Sequence, residues 1–270
     1  PDTGFRLLSL YRYWNMIQYF FPYKHLIEDD WKDILIEFIP RFVSASDELE
    51  YKLATLEIIG RIKDTHANIW SYEPVLNKFK GVNAAPYKVK FVEEKAVITN
   101  YLDNNKAAES GLQIGDIITH INGKDIDQIV KEQLKYSPAS NYPTQLRDIA
   151  TNLLKTNDTI IQITYLRDDK VERKDIKAYT PKEVNIYQSF APDSCFRMIN
   201  KDIAYVYPGK IKNSYLPEIM ATASNTRGLI VDLRYYPSDF IVFTLGSQLV
   251  DTNSDFVKFT TGRIDNPGYF

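Results

Sequence analysis

The run Lys63-Asp64-Thr65-His66-Ala67-Asn68 holds the residue best suited to moving a proton. A histidine titrates near neutrality, so its imidazole can take a proton from a nucleophile and return it to a leaving group. Such a base needs a neighbour that fixes its tautomer. Asp64 is a candidate for that neighbour, although the same carboxylate could cap the preceding helix or face solvent. A second constellation closes the run Gly228-Leu229-Ile230-Val231-Asp232-Leu233-Arg234. Asp232 and Arg234 there read as an ion pair anchoring a strand end. Ser238 follows at a strand-to-helix junction, where an elbow nucleophile would sit. The Gly-x-Ser-x-Gly pattern is absent, however, and Ser238 reads equally well as a helix N-cap. Ser194 and Ser247 lack such a context. His25 reads as a loop residue, and His120 as a solvent-facing position on a strand. The histidines share neither close spacing nor a common face, so no metal site is implied.

Helices must position His66. Leu7, Leu10, Tyr11, Trp14 and Ile17 recur at helical spacing until Phe21-Pro22 interrupts them. Trp31, Ile34, Leu35, Phe38, Ile39 and Phe42 form a second apolar stripe. The stretch Ser44-Ala45-Ser46-Asp47 supplies N-cap chemistry for a third helix, lined by Leu49, Leu53, Leu56, Ile59 and Ile62. These three amphipathic segments predict a small bundle, with His66 just past its last helix.

From about residue 84 the period shortens. Tyr87, Val89 and Phe91 alternate, and Ala96-Val97-Ile98 follows a turn at Glu93-Glu94. One helical turn over 107–110 ends at Gly111. Ile117, Ile118 and Ile121 make a strand that runs into the tight-turn pair Asn122-Gly123. Leu146, Ile149, Ala150, Leu153 and Leu154 mark the one main helix of this region. Strands over 159–166 and 171–177 flank Asp168-Asp169. Beyond residue 195 the order becomes strand (203–207), helix (214–224), buried strand (228–233), helix (238–250) and the start of a strand (256–261), which argues α/β layering.

Composition excludes several classes. A net charge of -2, from 33 Lys+Arg against 35 Asp+Glu, leaves no electrostatic footprint for nucleic acid. No apolar stretch is long enough to span a membrane. The single Cys195 excludes disulfides within the chain and cysteine-based metal sites.

Taken in order, the His66 element, the run Ala107-Ala108-Glu109-Ser110-Gly111-Leu112-Gln113-Ile114-Gly115-Asp116-Ile117-Ile118 and the Asp232 strand resemble the S41 family of serine peptidases, the C-terminal processing and tricorn-type proteases. The resemblance implies a multidomain α+β chain. Its parts would be an N-terminal helical bundle (1–80), a PDZ-like β domain (81–180) and the first part of a ClpP/crotonase-like α/β domain (181–270). The run from Ala107 with Ile121-Asn122-Gly123 resembles the core of a protease-associated PDZ domain. By that resemblance the peptide-binding loop lies near Ala84 and Ala85, and the receiving strand begins Tyr87 to Val89 and continues to Phe91. The usual glycine-rich carboxylate loop is missing, and Pro86 removes one donor.

His66 would be the base, because Asp64-Thr65-His66-Ala67 matches the family's short Asp-x-His element. In the family a glycine-rich turn after Asp-Leu-Arg donates backbone N–H groups to an oxyanion. Here Tyr235-Tyr236-Pro237-Ser238 replaces it, which leaves Tyr236 or Ser238 as donors. The implied activity is serine endopeptidase hydrolysis of a polypeptide substrate, with no cofactor. The implied location is exported, at the bacterial periplasm or cell surface. The alternative is a non-catalytic PDZ-containing peptide-binding module. In the family the nucleophilic serine lies further along the chain than Phe270. The 270-residue chain is therefore expected to cleave no peptide by itself. Hydrolysis by this chain that disappears in His66→Ala would refute that expectation.

Overall fold

A computed structural model of the chain describes residues 2–252, 255 and 257–270. These form two compact units, one made of residues 1–188 with 260–270, the other of 189–259.

The first unit opens with α1 (Thr3–Phe20), α2 (Trp31–Ser44) and α3 (Glu48–Gly60). Each begins on an aspartate whose carboxylate accepts a backbone N–H of the first turn: Asp2 from Phe5, Asp30 from Lys32 and Asp47 from Glu50. These caps satisfy donors that a helix leaves unpaired. Glu50 reaches back to the N–H and hydroxyl of Ser46, at 2.7 and 2.9 Å. The bundle core joins Leu10, Ile17, Trp31, Ile34, Phe38, Phe42, Ala54 and Ile58. Two tryptophans lock α1 to α2 by exchanging indole bonds, Trp14 Nε1 to the Trp31 carbonyl (2.6 Å) and Trp31 Nε1 to the Trp14 carbonyl (3.0 Å). The stripes anticipated from spacing are these helices. A further helix, α4 (Pro74–Lys80), was not anticipated, since seven residues carry too few turns to show a period. Residues 260–270 belong to this unit, and the Gly268 N–H donates to the Tyr19 carbonyl at 2.9 Å.

The β region follows as β1 (Asn83–Ala84), β2 (Tyr87–Val92), β3 (Lys95–Tyr101), α5 (Asn104–Ser110), β4 (Ile117–Ile121), β5 (Lys124–Asp125), α6 (Ile126–Leu134), α7 (Tyr142–Asn152), β6 (Lys155–Thr156), β7 (Ile160–Arg167) and β8 (Lys170–Lys177). Strands run in the order β2-β3-β4-β7-β8, with β5 beside β4 and every pair antiparallel. Three two-residue turns make the hairpins, at Glu93-Glu94, Asn122-Gly123 and Asp168-Asp169. All six residues have positive φ, the geometry that matches strand twist. The core collects Tyr87, Val89, Ile98, Leu112, Ile118, Ile161, Ile163, Tyr165 and Ile176 beneath α6 and α7. Sequence reading expected one main helix here. α6 is the second, and its polar composition concealed it.

Two constraints shape this region. Gly111 ends α5 with φ 78, where a side chain is unfavourable. Just beyond it, buried Asp116 accepts the Gln113 N–H at 2.7 Å and a two-pronged bond from Arg167, at 2.7 and 2.6 Å. Gly81 has φ 97, and a Cβ there would lie 2.5 Å from the Thr156 nitrogen. Only glycine lets the end of α4 approach β6 so closely.

The second unit contains β9 (Phe196–Asn200), β10 (Ile203–Val206), α8 (Leu216–Ala223), β11 (Gly228–Val231) and α9 (Val242–Gly246). β10 lies between β9, antiparallel, and β11, parallel. α8 makes the crossover, and Val206, Ile211, Leu216, Ile219, Ile241 and Leu245 form the core. Several expectations need correction. The strand over 228–233 stops at Val231 and is not buried: Ile230 is 45% exposed, because β11 is an edge with one face uncovered. The helix over 238–250 shrinks to Val242–Gly246. Residues 257–261 form no strand, and Phe256 falls outside the described residues. β9 was missed, because its Phe196-Arg197-Met198 alternation is only three residues long before Ile199 interrupts it.

Replacing Asp116 with Ala strands the Arg167 guanidinium. The expected loss is about 3 kcal/mol, the cost of removing one partner of a buried ion pair. Urea unfolding of the two proteins measures it, and an unchanged midpoint would contradict an anchoring role.

Candidate functional site

His66 sits in the turn between α3 and α4. Lys63, with φ 52, turns the chain out of α3, and the Ala67 N–H closes on the Asp64 carbonyl at 3.1 Å. Asp64 Oδ1 accepts the His66 backbone N–H at 2.8 Å and lies 3.4 Å from the His66 Nδ1. The carboxylate thus both braces the turn and stands beside the ring. Thr65 pins the same turn to the β region. Its hydroxyl lies 2.7 Å from the Ser140 hydroxyl and accepts the Ser140 N–H at 3.0 Å. The Trp70 indole donates to the His66 carbonyl at 2.9 Å. The imidazole itself is 99% exposed within this unit. A fixed backbone therefore presents an exposed ring with the Asp64 carboxylate beside it. Among the described residues no serine hydroxyl bonds to it.

The residues expected to bind peptide lie where β1 enters β2. The Ala84 N–H donates to the Tyr179 carbonyl (2.9 Å) and the Ala85 N–H to the Leu154 carbonyl (3.0 Å). Neither donor is left for a ligand carboxylate. The Tyr87 and Val89 side chains face the core rather than a groove. Tyr87 donates its hydroxyl proton to the Ala107 carbonyl (2.8 Å) and accepts the Leu112 N–H (3.3 Å). The cavity between β2 and α7 measures only about 30 Å³. That is room for water and not for a side chain. What persists of the expectation is topological: β2 is an edge of the sheet, and an edge can accept an added strand.

In the second unit Asp232 terminates β11, its N–H donating to the Val206 carbonyl at 2.9 Å. Its carboxylate accepts from Arg234 Nε (2.8 Å), Arg234 Nη2 (2.7 Å) and the Tyr205 hydroxyl. Arg234 and Tyr205 hold the carboxyl well below the usual carboxylate range, and in return the Tyr205 phenol is pushed up. The pair anchors the strand end, and Arg234 stays largely exposed. The Ser238 N–H donates to the Pro208 carbonyl at 3.0 Å, and its hydroxyl donates to the Ile211 carbonyl. Ser238 therefore neither caps α9, whose N-cap is Ile241, nor keeps a spare donor for an oxyanion. The Tyr236 N–H has no hydrogen-bond partner among the described residues, and its side chain is 95% exposed.

His25 is exposed in a short 3-10 turn, Lys24–Leu26. His120 is half-buried, contrary to a solvent-facing reading, with Nδ1 3.1 Å from the Thr119 hydroxyl. Among the described residues no group of three or more His, Cys, Asp or Glu side chains is placed to hold a metal ion. Sequence reading missed a cavity of about 390 Å³ where α4, α6, α7 and the turn after α3 converge, lined by Asn68, Lys80 and Lys155 among others. These lysines are 75 positions apart in sequence and carry no motif.

Residues 82–189 match the PDZ domain family. No curated protein matches the chain significantly. Among solved structures, mature CPAF complexed with lactacystin matches with a TM-score of 0.59 and 13% identity, over 85% of this chain and 56% of that one. At that identity the likeness is one of fold. The photosystem II D1 C-terminal processing protease matches with a TM-score of 0.34 and 10% identity, over 87% and 61% of the two chains. A PDZ domain protein from Parabacteroides distasonis matches with a TM-score of 0.28 and 9% identity, over 57% and 39%. The chain thus spans 56% and 61% of the first two proteins' lengths. Among the described residues no helix is long and apolar enough to cross a membrane.

A carboxylate whose pKa is depressed on folding stabilises the fold fully above its unfolded value, about 3.9. The contribution is lost as pH falls toward the folded value. The stability difference between the parent chain and Asp232→Asn should be constant from about pH 6 to 8 and shrink below about pH 4. Urea unfolding at each pH checks this, and a difference that grows with acid would contradict the ion-pair account.

Proposed function

We propose that the chain is the helical, PDZ-bearing and first α/β portion of a serine-type endopeptidase of the S41 kind. The observation that carries this reading is the order of parts. A helical region ends in an exposed, backbone-braced His66, a PDZ domain follows, and then a strand–helix–strand unit ends in the Asp232–Arg234 pair. The fold likeness to mature CPAF over 85% of the chain supports it. In this reading the parts divide near residues 80 and 180, and the last belongs to a ClpP/crotonase-like layer. The protein is exported, and its substrate is a polypeptide.

The chemistry follows from the residues. His66 accepts the hydroxyl proton of a serine supplied by a segment beyond Phe270 and returns it to the departing amine. Asp64, 3.4 Å from Nδ1, favours the tautomer whose Nε2 is free to accept. Tyr236 keeps an N–H to offer an oxyanion, whereas the Ser238 N–H is spent on Pro208. The β2 edge receives an extended segment of substrate by main-chain bonding, without a carboxylate clamp. A second reading, a non-catalytic peptide-binding module, draws on the absence of any serine hydroxyl bonded to the His66 ring among the described residues and on the occupied Ala84 and Ala85 donors.

A fluorophosphonate probe applied to the natural full-length protein separates the two. The peptidase reading expects labelling at a serine beyond Phe270. It also expects peptide hydrolysis to fall about 10²- to 10⁴-fold in His66→Ala. No labelling, or hydrolysis indifferent to His66, gives the case to the binding module.

A further inference from the structure

A cavity lies at the junction of helices and β region. Its volume of about 390 Å³ lies within the range of small-molecule pockets. Its lining includes the apolar residues Leu56, Phe79, Ile129, Ile149 and Leu153. Phe79 is held edge-on to Tyr136, with ring centroids 5.8 Å apart. The lining also includes Lys80, Lys124, Lys155 and Asp148, with Gln133 and Asn152.

The charges do not cancel. Lys124 pairs with Glu132, outside the cavity. Asp148 is the one acidic side chain in the lining, and its nearest ion pair is Arg147, at 2.9 Å. Neither Lys80 nor Lys155 has an ion pair among the described residues. Lys155 makes one long bond, 3.5 Å, to the Asn152 amide oxygen. With Lys124 paired to Glu132 and Asp148 to Arg147, Lys80 and Lys155 are the two lining amines left without an ion pair, beside apolar surface. Desolvation holds both amines below the ordinary lysine value. Asp148 opposes this at Lys80, and the charge of Lys80 adds to it at Lys155. The fold brings the two lysines together deliberately: Gly81 and the β1–β6 pairing press the end of α4 against the start of β6.

We infer that this cavity binds a small monocarboxylate with an apolar body, its anionic head between Lys80 and Lys155 and its body against Phe79 and Leu153. The apolar lining selects an anion with an apolar body over inorganic phosphate, which would leave Phe79 and Leu153 uncovered. The inference is independent of the peptidase reading, since none of these residues takes part in it.

The test is titration of the 270-residue chain with benzoate and, separately, with inorganic phosphate, followed by backbone amide shifts. Benzoate is expected to move amides of α4 and α7 saturably, and phosphate is not. Lys155→Met should weaken benzoate about tenfold, the worth of one charge-assisted hydrogen bond. Asp148→Asn should tighten it, a gain that misfolding cannot mimic. No saturable benzoate shift, phosphate binding as well as benzoate, or weaker binding by Asp148→Asn would each overturn the inference.

Discussion

The close approach of α4 to β6 at Gly81 is the constraint on which most of the first unit depends. A Cβ would meet the Thr156 nitrogen at 2.5 Å, so the backbones touch only because the residue is glycine. That contact lets β1 pair with β6 and lets Ala84 bridge to Tyr179. The same pairing spends the N–H groups that a terminal carboxylate would need at the entrance to β2. It also delivers Lys80 and Lys155 to the lining of one cavity. One backbone contact thus occupies donors at the entrance to β2 and brings two amines to one cavity.

His66 illustrates a division between rigid support and free chemistry. Its backbone is held from Asp64, Thr65 and Trp70, while its ring meets solvent. Such an arrangement suits a group that acts on something delivered to it. Asp232 is the opposite case. Its carboxylate is buried and saturated by Arg234 and Tyr205, which fits an anchor for a strand end and leaves it no chemistry to perform.

Much of the fold was legible locally. The Asp47 cap, the apolar stripes of α1 to α3 and the turn pairs Glu93-Glu94, Asn122-Gly123 and Asp168-Asp169 act over a few residues, so spacing alone reveals them. The run around Gly111 and Asp116 pointed to a PDZ-like core, and residues 82–189 match that family. Failures fell where elements are short or edges uncovered. α4 has seven residues and α6 is polar, while β11 was read as buried because its residues are apolar, although its neighbours leave it half open.

The site was less legible than the fold. Sequence alone determined that His66 follows a helix with a carboxylate two positions before it. It determined equally that Pro237 cannot donate and that one cysteine forms no internal disulfide. Only tertiary structure decided that Ala84, Ala85 and Ser238 have their donors occupied, and that Tyr87 and Val89 point into the core. It alone placed Lys80 beside Lys155. The reason is physical. A residue's type fixes what it can bond, whereas the partner that satisfies it comes from segments distant in sequence, and no local pattern records which of those arrives.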